Sequence, residues 1–153
     1  MPHRGKDGRQ LHGCRGSPAR ASTLFGVATT SRSTEFLALG HPGSDHYAGL
    51  ETFANPGVAD VQLVSDELTA VCPITGQPDL YRISIGYRPA ALCLESKSVK
   101  LYLNSFRNEG AFCEALAVRI RDDVASALAV PPDAVRVELE QKARGGITIT
   151  ARV

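Results

Sequence analysis

The alternation of apolar and polar residues predicts two neighbouring β-strands in the middle of the chain. Residues 61–71 are rich in β-branched and apolar side chains, and residues 81–88 alternate large apolar side chains with polar residues or glycine. A period of two residues is typical of a strand that buries one face. Two prolines and a glycine within residues 72–79 favour a chain reversal, so the two strands are predicted to form a hairpin.

Two segments with helical spacing follow this hairpin. From Ser96 to Phe106, one helix face carries the apolar residues Val99, Leu103 and Phe106. Another face carries the basic and polar residues Lys97, Lys100, Asn104 and Arg107. From about Ala111 to Ala129, apolar residues recur at every fourth position, at Phe112, Leu116, Ile120, Val124 and Leu128. Two prolines at 131 and 132 are predicted to end the second helix.

Two further strands are predicted at the end of the chain, at residues 135–140 and 147–152, on either side of a basic turn at residues 142–146. The element order ββααββ predicts an α+β fold. In it, one four-stranded antiparallel sheet carries both helices on a single face. Such a sheet has unpaired edges, which favours edge-to-edge association of several copies.

Composition and charge suggest one folded domain with a basic extension. The chain has 153 residues, of which 43% are hydrophobic and 22% charged, as is ordinary for a globular domain. Residues 1–34 carry six Lys or Arg against one acid, and the remaining residues carry eleven against fifteen. We expect residues 1–34 to be a disordered basic tail, residues 35–58 a connector without regular structure, and residues 59–153 the folded domain. The scattered charges of the tail argue against a nucleic-acid-binding segment.

The sequence shows neither a membrane span nor a signal segment, so a cytoplasmic location is expected. The cysteines lack the C-x-x-C spacing of a zinc site, and they are expected to be free thiols: Cys14, Cys72, Cys93 and Cys113. All histidines precede the predicted domain, at His3, His12, His41 and His46. None is therefore obviously placed to bind a metal beside Cys72.

The turn between the first two strands carries candidate chemistry. It reads Cys72-Pro73-Ile74-Thr75-Gly76-Gln77-Pro78-Asp79. Because the chain reverses there, Cys72 and Asp79 are predicted to approach each other as a nucleophile and a proton donor. The plainer alternative is a small buried thiol at the end of a strand.

Three motifs in order resemble a known family. They are Cys-Pro-x-Thr-Gly-Gln-Pro-Asp at residues 72–79, Glu-Ser-Lys-Ser-Val-Lys-Leu-Tyr at residues 95–102, and Phe-Cys-Glu at residues 112–114. Over roughly residues 61–151 the chain resembles the NADPH-dependent nitrile reductases of queuosine biosynthesis, the QueF family in its short form. This resemblance implies the tunnelling fold (T-fold), whose sheets associate into a barrel within a ring-shaped homo-oligomer, with active sites at subunit interfaces.

The resemblance also implies an activity. It is the reduction of 7-cyano-7-deazaguanine to 7-aminomethyl-7-deazaguanine by NADPH, through a thioimide on Cys72, with Asp79 as proton donor and no metal. The implied substrate-binding residues are Leu94, Glu95, Ser96, Cys113 and Glu114. The implied cofactor-binding residues are Ser96, Lys97, Lys100 and Arg144. The implied partners are the deazapurine nitrile and further copies of the chain, without direct nucleic-acid or membrane binding.

Plainer interpretations stay open for several of these residues. Lys97 and Lys100 could form a solvated basic helix face, Glu114 could complement the dipole of its helix, and Arg144 could be a loop residue. A zinc-dependent GTP-cyclohydrolase-like enzyme and a non-catalytic pterin-binding or purine-binding module are alternatives within the same fold. The sequence has no G-x-G-x-x-G loop, which argues against a Rossmann site.

The chain departs from the family pattern at Cys113, where family members commonly carry His between Phe and Glu. Losing an imidazole leaves open whether Asp79 or water delivers the second proton. Cys113 could keep only a hydrogen-bonding and packing role. We also expect that Cys72 and Cys113 form a disulfide under oxidation, which requires Cα atoms within about 7 Å.

Overall fold

The computed structural model describes Phe36, Leu37, Leu39 and residues 47–153, so the predicted tail of residues 1–34 lies outside the described residues. The strands are β1 (Thr52–Ala54), β2 (Val61–Val71), β3 (Pro78–Tyr87), β4 (Leu92–Leu94), β5 (Val135–Arg144) and β6 (Ile147–Arg152). The helices are α1 (Ser96–Ser105) and α2 (Cys113–Leu128). Short 3₁₀ turns follow α1 at Phe106–Asn108 and precede β5 at Pro132–Ala134.

The main sheet is antiparallel, in the order β2-β3-β5-β6, and both helices pack on one of its faces. The buried face of β3 and β5 consists of the alternating apolar residues Tyr81, Ile83, Ile85, Tyr87, Val135, Val137 and Leu139. Polar residues such as Arg82 and Glu138 face solvent on the other side. The predicted ββααββ arrangement is therefore confirmed.

The helices begin and end where local chemistry favours it. Glu95 caps α1, since its carboxylate accepts the backbone N–H groups of Lys97 and Ser98 at 2.8 and 2.7 Å. The predicted apolar stripe of α1 is buried as expected. The stripe predicted for α2 is wrong at Phe112, whose side chain is 57% exposed. Because α2 begins at Cys113, Phe112 is the extended N-cap residue and does not share the buried helical face.

The connector contains regular structure that the sequence analysis missed. β1 pairs antiparallel with β4, and the register places Phe53 opposite Cys93. The expectation that residues 35–58 lack regular structure is therefore wrong at Thr52–Ala54. Three-residue strands are too short for a period of two residues to be recognised. Among the described residues, no helix is both long and apolar enough to cross a membrane.

The hairpin of β5 and β6 is tighter than predicted. β5 extends to Arg144, and only Gly145 and Gly146 lie between the two strands, so the predicted five-residue turn at 142–146 is too long. The pairing register shifts between Gln141 and Arg144, which marks an irregularity of the β-bulge kind. This irregularity and the short turn place Arg144 at the end of the sheet that also carries Cys72.

Candidate active site

The loop from Cys72 to Gln77 is closed by its own backbone. The Cys72 N–H donates to the Gln77 carbonyl at 2.8 Å, and the Gly76 N–H donates to the Cys72 carbonyl at 2.9 Å. Gly76 has a φ of +67°, a conformation that favours glycine. β2 and β3 then pair Ala70 with Asp79, so the loop brings Cys72 and Asp79 to the same end of the sheet.

The thiol of Cys72 is set up to ionise near neutral pH. Hydrogen bonds to the sulfur from the Thr75 hydroxyl, from the backbone of Thr75 and Ile74, and from Arg144 lower the pKa of Cys72 from 9.0 to about 7. The Thr75 hydroxyl contributes most and Arg144 least, while partial burial opposes the shift. Because the thiolate is the nucleophilic form of cysteine, this arrangement favours covalent chemistry at Cys72.

Asp79 is held by an ion pair. Its side chain is only 5% exposed, and the Arg144 guanidinium donates from Nη1 to Asp79 Oδ1. Nη2 of Arg144 donates to Gln77 Oε1 at 2.8 Å and to Thr75 Oγ1 at 3.5 Å. The resemblance implied a cofactor contact for Arg144. In this structure the guanidinium instead bonds Asp79 and the loop that carries Cys72.

The start of α2 is joined to the same loop. The Val71 N–H donates to the Glu109 carbonyl at 3.0 Å, and the Ala111 N–H donates to the Val71 carbonyl at 3.1 Å. Gly110 lies so close to the loop that an added Cβ would be 3.3 Å from the Pro73 Cα atom, which is tighter than most such contacts. These contacts bring the first turn of α2, with Cys113 and Glu114, beside Cys72.

A cavity of about 370 Å³ lies at this meeting point. Its size is at the lower end of the range for small-molecule sites. Five sequence-predicted site residues line it, together with apolar neighbours and one amide: Cys72, Asp79, Cys113, Glu114 and Arg144, with Pro73, Ala111, Phe112, Ile147, Ile149 and Gln141. The cavity therefore combines a nucleophile, two carboxyl groups and a guanidinium with apolar walls.

Cys113 is a buried thiol at the back of this cavity. Its Sγ atom lies 3.6 Å from the Leu139 carbonyl oxygen, as a weak hydrogen-bond donor. Burial, and then the charge of Glu114, raise the pKa of Cys113. Cys113 is therefore a neutral thiol near pH 7, which fits the packing role better than proton transfer. Cys72, Cys93 and Cys113 are all free thiols in this structure.

Comparisons with known proteins agree with the motifs. The family model described as QueF-like protein matches residues 78–153. A protein of Frankia casuarinae named NADPH-dependent 7-cyano-7-deazaguanine reductase is 46% identical over 114 residues, which cover 74% of this chain and 90% of the relative. A protein of the same name from Syntrophus aciditrophicus is 41% identical over 86% of this chain and 84% of its own length.

The chain belongs to the NADPH-dependent 7-cyano-7-deazaguanine reductase family. A solved structure, the archaeosine synthase QueF-Like in the apo form, is similar with a TM-score of 0.57 and 26% identity, over 63% of this chain and 93% of that protein. This neighbour supports the expected fold, and its name gives it a different activity, that of an archaeosine synthase. The reductase name comes from the relatives with higher identity.

The remaining site residues expected from the family resemblance do not line the cavity. Leu94 is buried in β4, and its N–H donates to the Tyr87 hydroxyl at 2.9 Å. Glu95 is buried as the cap of α1. Ser96, Lys97 and Lys100 lie in the first half of α1. Within a single chain, these five residues are therefore separate from the Cys72 cavity.

Two of these residues on α1, Ser96 and Lys100, border a second cavity, of about 610 Å³, that runs along β2 and α1, and Lys97 is not in its lining. Ser96, Lys100 and Asn104 line it, together with apolar side chains and with Asp66 and Glu67 of β2. Ammonium and hydroxyl groups at the start of a helix suit the phosphates of a dinucleotide. Ser96 and Lys100 therefore have the chemistry to hold a phosphate of the NADPH that the family name includes, although Asp66 and Glu67 in the same cavity would oppose an anion, and a role in cofactor binding stays a prediction for both residues.

Some residues in and beside the cavity received no role from the sequence. Thr75 stands in the loop motif, but its bond to the sulfur of Cys72 depends on the folded loop. Gln141 is buried at a position where the alternation of β5 would place an apolar residue, and that polar exception was a usable signal. Ile147 and Ile149 were predicted as strand residues. Both line the cavity, and both lie on β6, which is an edge strand of the sheet. Within the described part of the chain, no group of three or more His, Cys, Asp or Glu residues is arranged to hold a metal.

Proposed function

We propose that this chain reduces 7-cyano-7-deazaguanine to 7-aminomethyl-7-deazaguanine with NADPH in queuosine biosynthesis. The observation that carries the proposal is the thiol of Cys72, whose pKa is lowered to about 7 in a cavity that also contains Asp79 and Glu114. A nitrile carbon is electrophilic, and a thiolate adds to it readily when a proton is supplied to nitrogen. The names of the relatives favour the reductase over a cyclohydrolase or a non-catalytic binding module.

In the first step, Asp79 takes the thiol proton of Cys72 and returns it to the substrate. The bond between sulfur and the nitrile carbon forms as one π bond of the nitrile breaks, and the nitrogen accepts the proton to give a thioimide. Two molecules of NADPH, when bound, would each supply one hydride, and these with two protons would convert the thioimide to the amine. The bond between carbon and sulfur breaks on the way, and Cys72 returns as the thiol.

Glu114 and the apolar walls are proposed to orient the ring. A carboxylate can accept two adjacent N–H groups, which the amidine-like edge of a deazaguanine presents. Glu114 is exposed in the first turn of α2 and lines the cavity. Phe112, Ile147 and Ile149 offer apolar surface to a planar heterocycle. Cys113 would then pack beside the ring.

The residues on α1 are proposed to come from a neighbouring copy. β2 and β6 are the edges of the sheet, and Ile147 on β6 is 69% exposed. Pairing of β6 with β2 of the next copy would extend the sheet and build the ring and barrel that the resemblance implies. Such a ring would bring Glu95, Ser96, Lys97 and Lys100 of one copy toward the Cys72 cavity of another.

The free thiols fit a reducing compartment, so the cytoplasm is the proposed location.

One assay tests the function against its rivals. The full chain is mixed with NADPH and the deazapurine nitrile, and oxidation of NADPH is followed by absorbance. A cyclohydrolase would leave NADPH unchanged and contain zinc in proportion to protein, and a binding module would bind the nitrile without consuming NADPH. Without NADPH, intact-mass measurement should show a gain of one substrate mass that Cys72→Ala lacks. An enzyme that turns over without this gain would exclude the thioimide.

A further inference from the structure

The buried hydroxyl of Tyr81 is a group of this site that the proposed mechanism does not use. It lies on β3 two residues after Asp79, so both side chains project from the same face of the strand. Tyr81 is 0% exposed. In the part of the chain that the structure describes, its hydroxyl is the only fully buried side-chain oxygen or nitrogen without a hydrogen-bond partner.

The other two buried tyrosines show that this is unusual within the molecule. The Tyr87 hydroxyl accepts the Leu94 N–H at 2.9 Å, and the Tyr102 hydroxyl donates to Asp123 at 2.7 Å. A buried hydroxyl without a partner destabilises the fold, since it has lost its hydrogen bonds to water. Phenylalanine would fill the same volume without that penalty. A purely structural role therefore does not account for the hydroxyl of Tyr81.

The surroundings of this hydroxyl connect it to the chemistry. Tyr81 lies close enough to four cavity residues for their charges to act on it, namely Asp79, Cys113, Arg144 and Cys72. Its strand partner on β5 is Gln141, which also lines the cavity. Burial, followed by the charge of Asp79, raises the pKa of Tyr81 well above 10.0. The phenol is therefore protonated near neutral pH and able to donate a hydrogen bond.

We propose that Tyr81 is a positioning residue that supports Asp79 while its carboxyl group gains and loses a proton. A guanidinium only donates hydrogen bonds, so Arg144 suits the carboxylate form of Asp79. A hydroxyl both donates and accepts, and although the Tyr81 hydroxyl bonds no group in the described part of the chain, once it turns toward Asp79 it would donate to the carboxylate and accept from the protonated carboxyl. This inference rests on the proposed function, in which Asp79 alternates between these two forms.

The test compares Tyr81→Phe with Tyr102→Phe in the full chain. For Tyr81→Phe we expect a melting temperature equal to or above that of the wild type, with kcat for nitrile reduction at least about tenfold lower. Both KM values should stay within about twofold, because the residue acts on the transfer and not on binding. The matched control Tyr102→Phe loses the bond to Asp123, so its melting temperature should fall while kcat is retained.

The outcomes separate the two proposals. Wild-type kcat in Tyr81→Phe, or a change in KM alone, overturns the role of Tyr81 and leaves the proposed function standing. A wild type that oxidises no NADPH with the nitrile overturns the proposed function and this inference with it. Should Tyr81→Phe fail to fold, 3-fluorotyrosine at position 81 decides, since it keeps the shape and makes the hydroxyl more acidic. If 3-fluorotyrosine at position 81 leaves kcat unchanged, as the same replacement at position 102 does, the proposed role of Tyr81 is overturned.

Discussion

Thr75 offers the sharpest test of how the nucleophile is activated. Its hydroxyl makes the largest contribution to the lowered pKa of Cys72, and Arg144 makes the smallest of the contributions that lower it. Thr75→Val removes the hydroxyl and keeps a β-branched side chain of similar volume. We therefore expect the pKa of Cys72 to rise in this variant and to rise less in Arg144→Gln.

The magnitude follows from the thiolate fraction. With a pKa of about 7, roughly half of Cys72 is thiolate at about pH 7, compared with about one part in a hundred for the ordinary value of 9.0. The lowered pKa means that reactivity rises as pH increases through about 7 and is lost below it. In Thr75→Val the pKa of Cys72 should rise part of the way back to its ordinary value. The smaller thiolate fraction should then slow alkylation of Cys72 by iodoacetamide roughly threefold to tenfold at about pH 7. At about pH 10 the wild type and the variant should react at similar rates, since both are then largely thiolate.

Alkylation is followed by peptide mass mapping, which assigns the rate to Cys72 among the four cysteines of the chain. Thr148→Val is the matched control, because Thr148 is exposed on β6 and is absent from the hydrogen bonds to the sulfur. Its pH profile should superimpose on that of the wild type. A Thr75→Val profile that also superimposes would refute the assignment. A larger shift in Arg144→Gln than in Thr75→Val would show that the guanidinium dominates instead.

Four further variants test the other roles. Asp79→Asn should fold and bind substrate but slow reduction by about 10²–10⁴-fold, measured as kcat, and wild-type turnover would contradict its role in proton transfer. Lys97→Ala and Lys100→Ala should raise KM for NADPH more than KM for the nitrile, whereas equal effects would point to folding. Cys113→Ser should stay active under reducing conditions but lose activity faster in peroxide. If the wild type and Cys113→Ser lose activity at equal rates in peroxide, Cys113 does not protect Cys72 through a disulfide.

The sequence predicted the parts of the fold whose patterns are long enough to be read. β2, β3 and β5 have ten or eleven residues each, and α2 has sixteen, so several periods are visible in each. β1 and β4 have three residues each, and their pairing depends on contacts between segments some 40 positions apart. The error at Phe112 has a local origin. The regular spacing of apolar residues does not reveal that α2 starts at Cys113, one residue after Phe112.

The site was predictable where it is local and not where it depends on distant strands. The loop motif placed Cys72 and Asp79 together, and both line one cavity. The bond from Arg144 to Asp79 spans 65 positions, and it depends on where β5 ends and on the register shift before Arg144. Tyr81 was predicted as an ordinary inward residue of an alternating strand. Only the folded structure shows that its hydroxyl has no partner among the described residues.

The position of Arg144 constrains how it could serve a cofactor as well. Its guanidinium already donates to Asp79, Gln77 and Thr75. A guanidinium carries five N–H groups in a rigid fork, and the groups that bond Asp79, Gln77 and Thr75 are not free to bind a phosphate bidentately. A bidentate contact to a cofactor phosphate would therefore require Arg144 to leave Asp79 or the loop that carries Cys72. The cofactor contact that the resemblance implies for Arg144 stays a prediction, and it would belong to a different state of the site from the ion pair with Asp79.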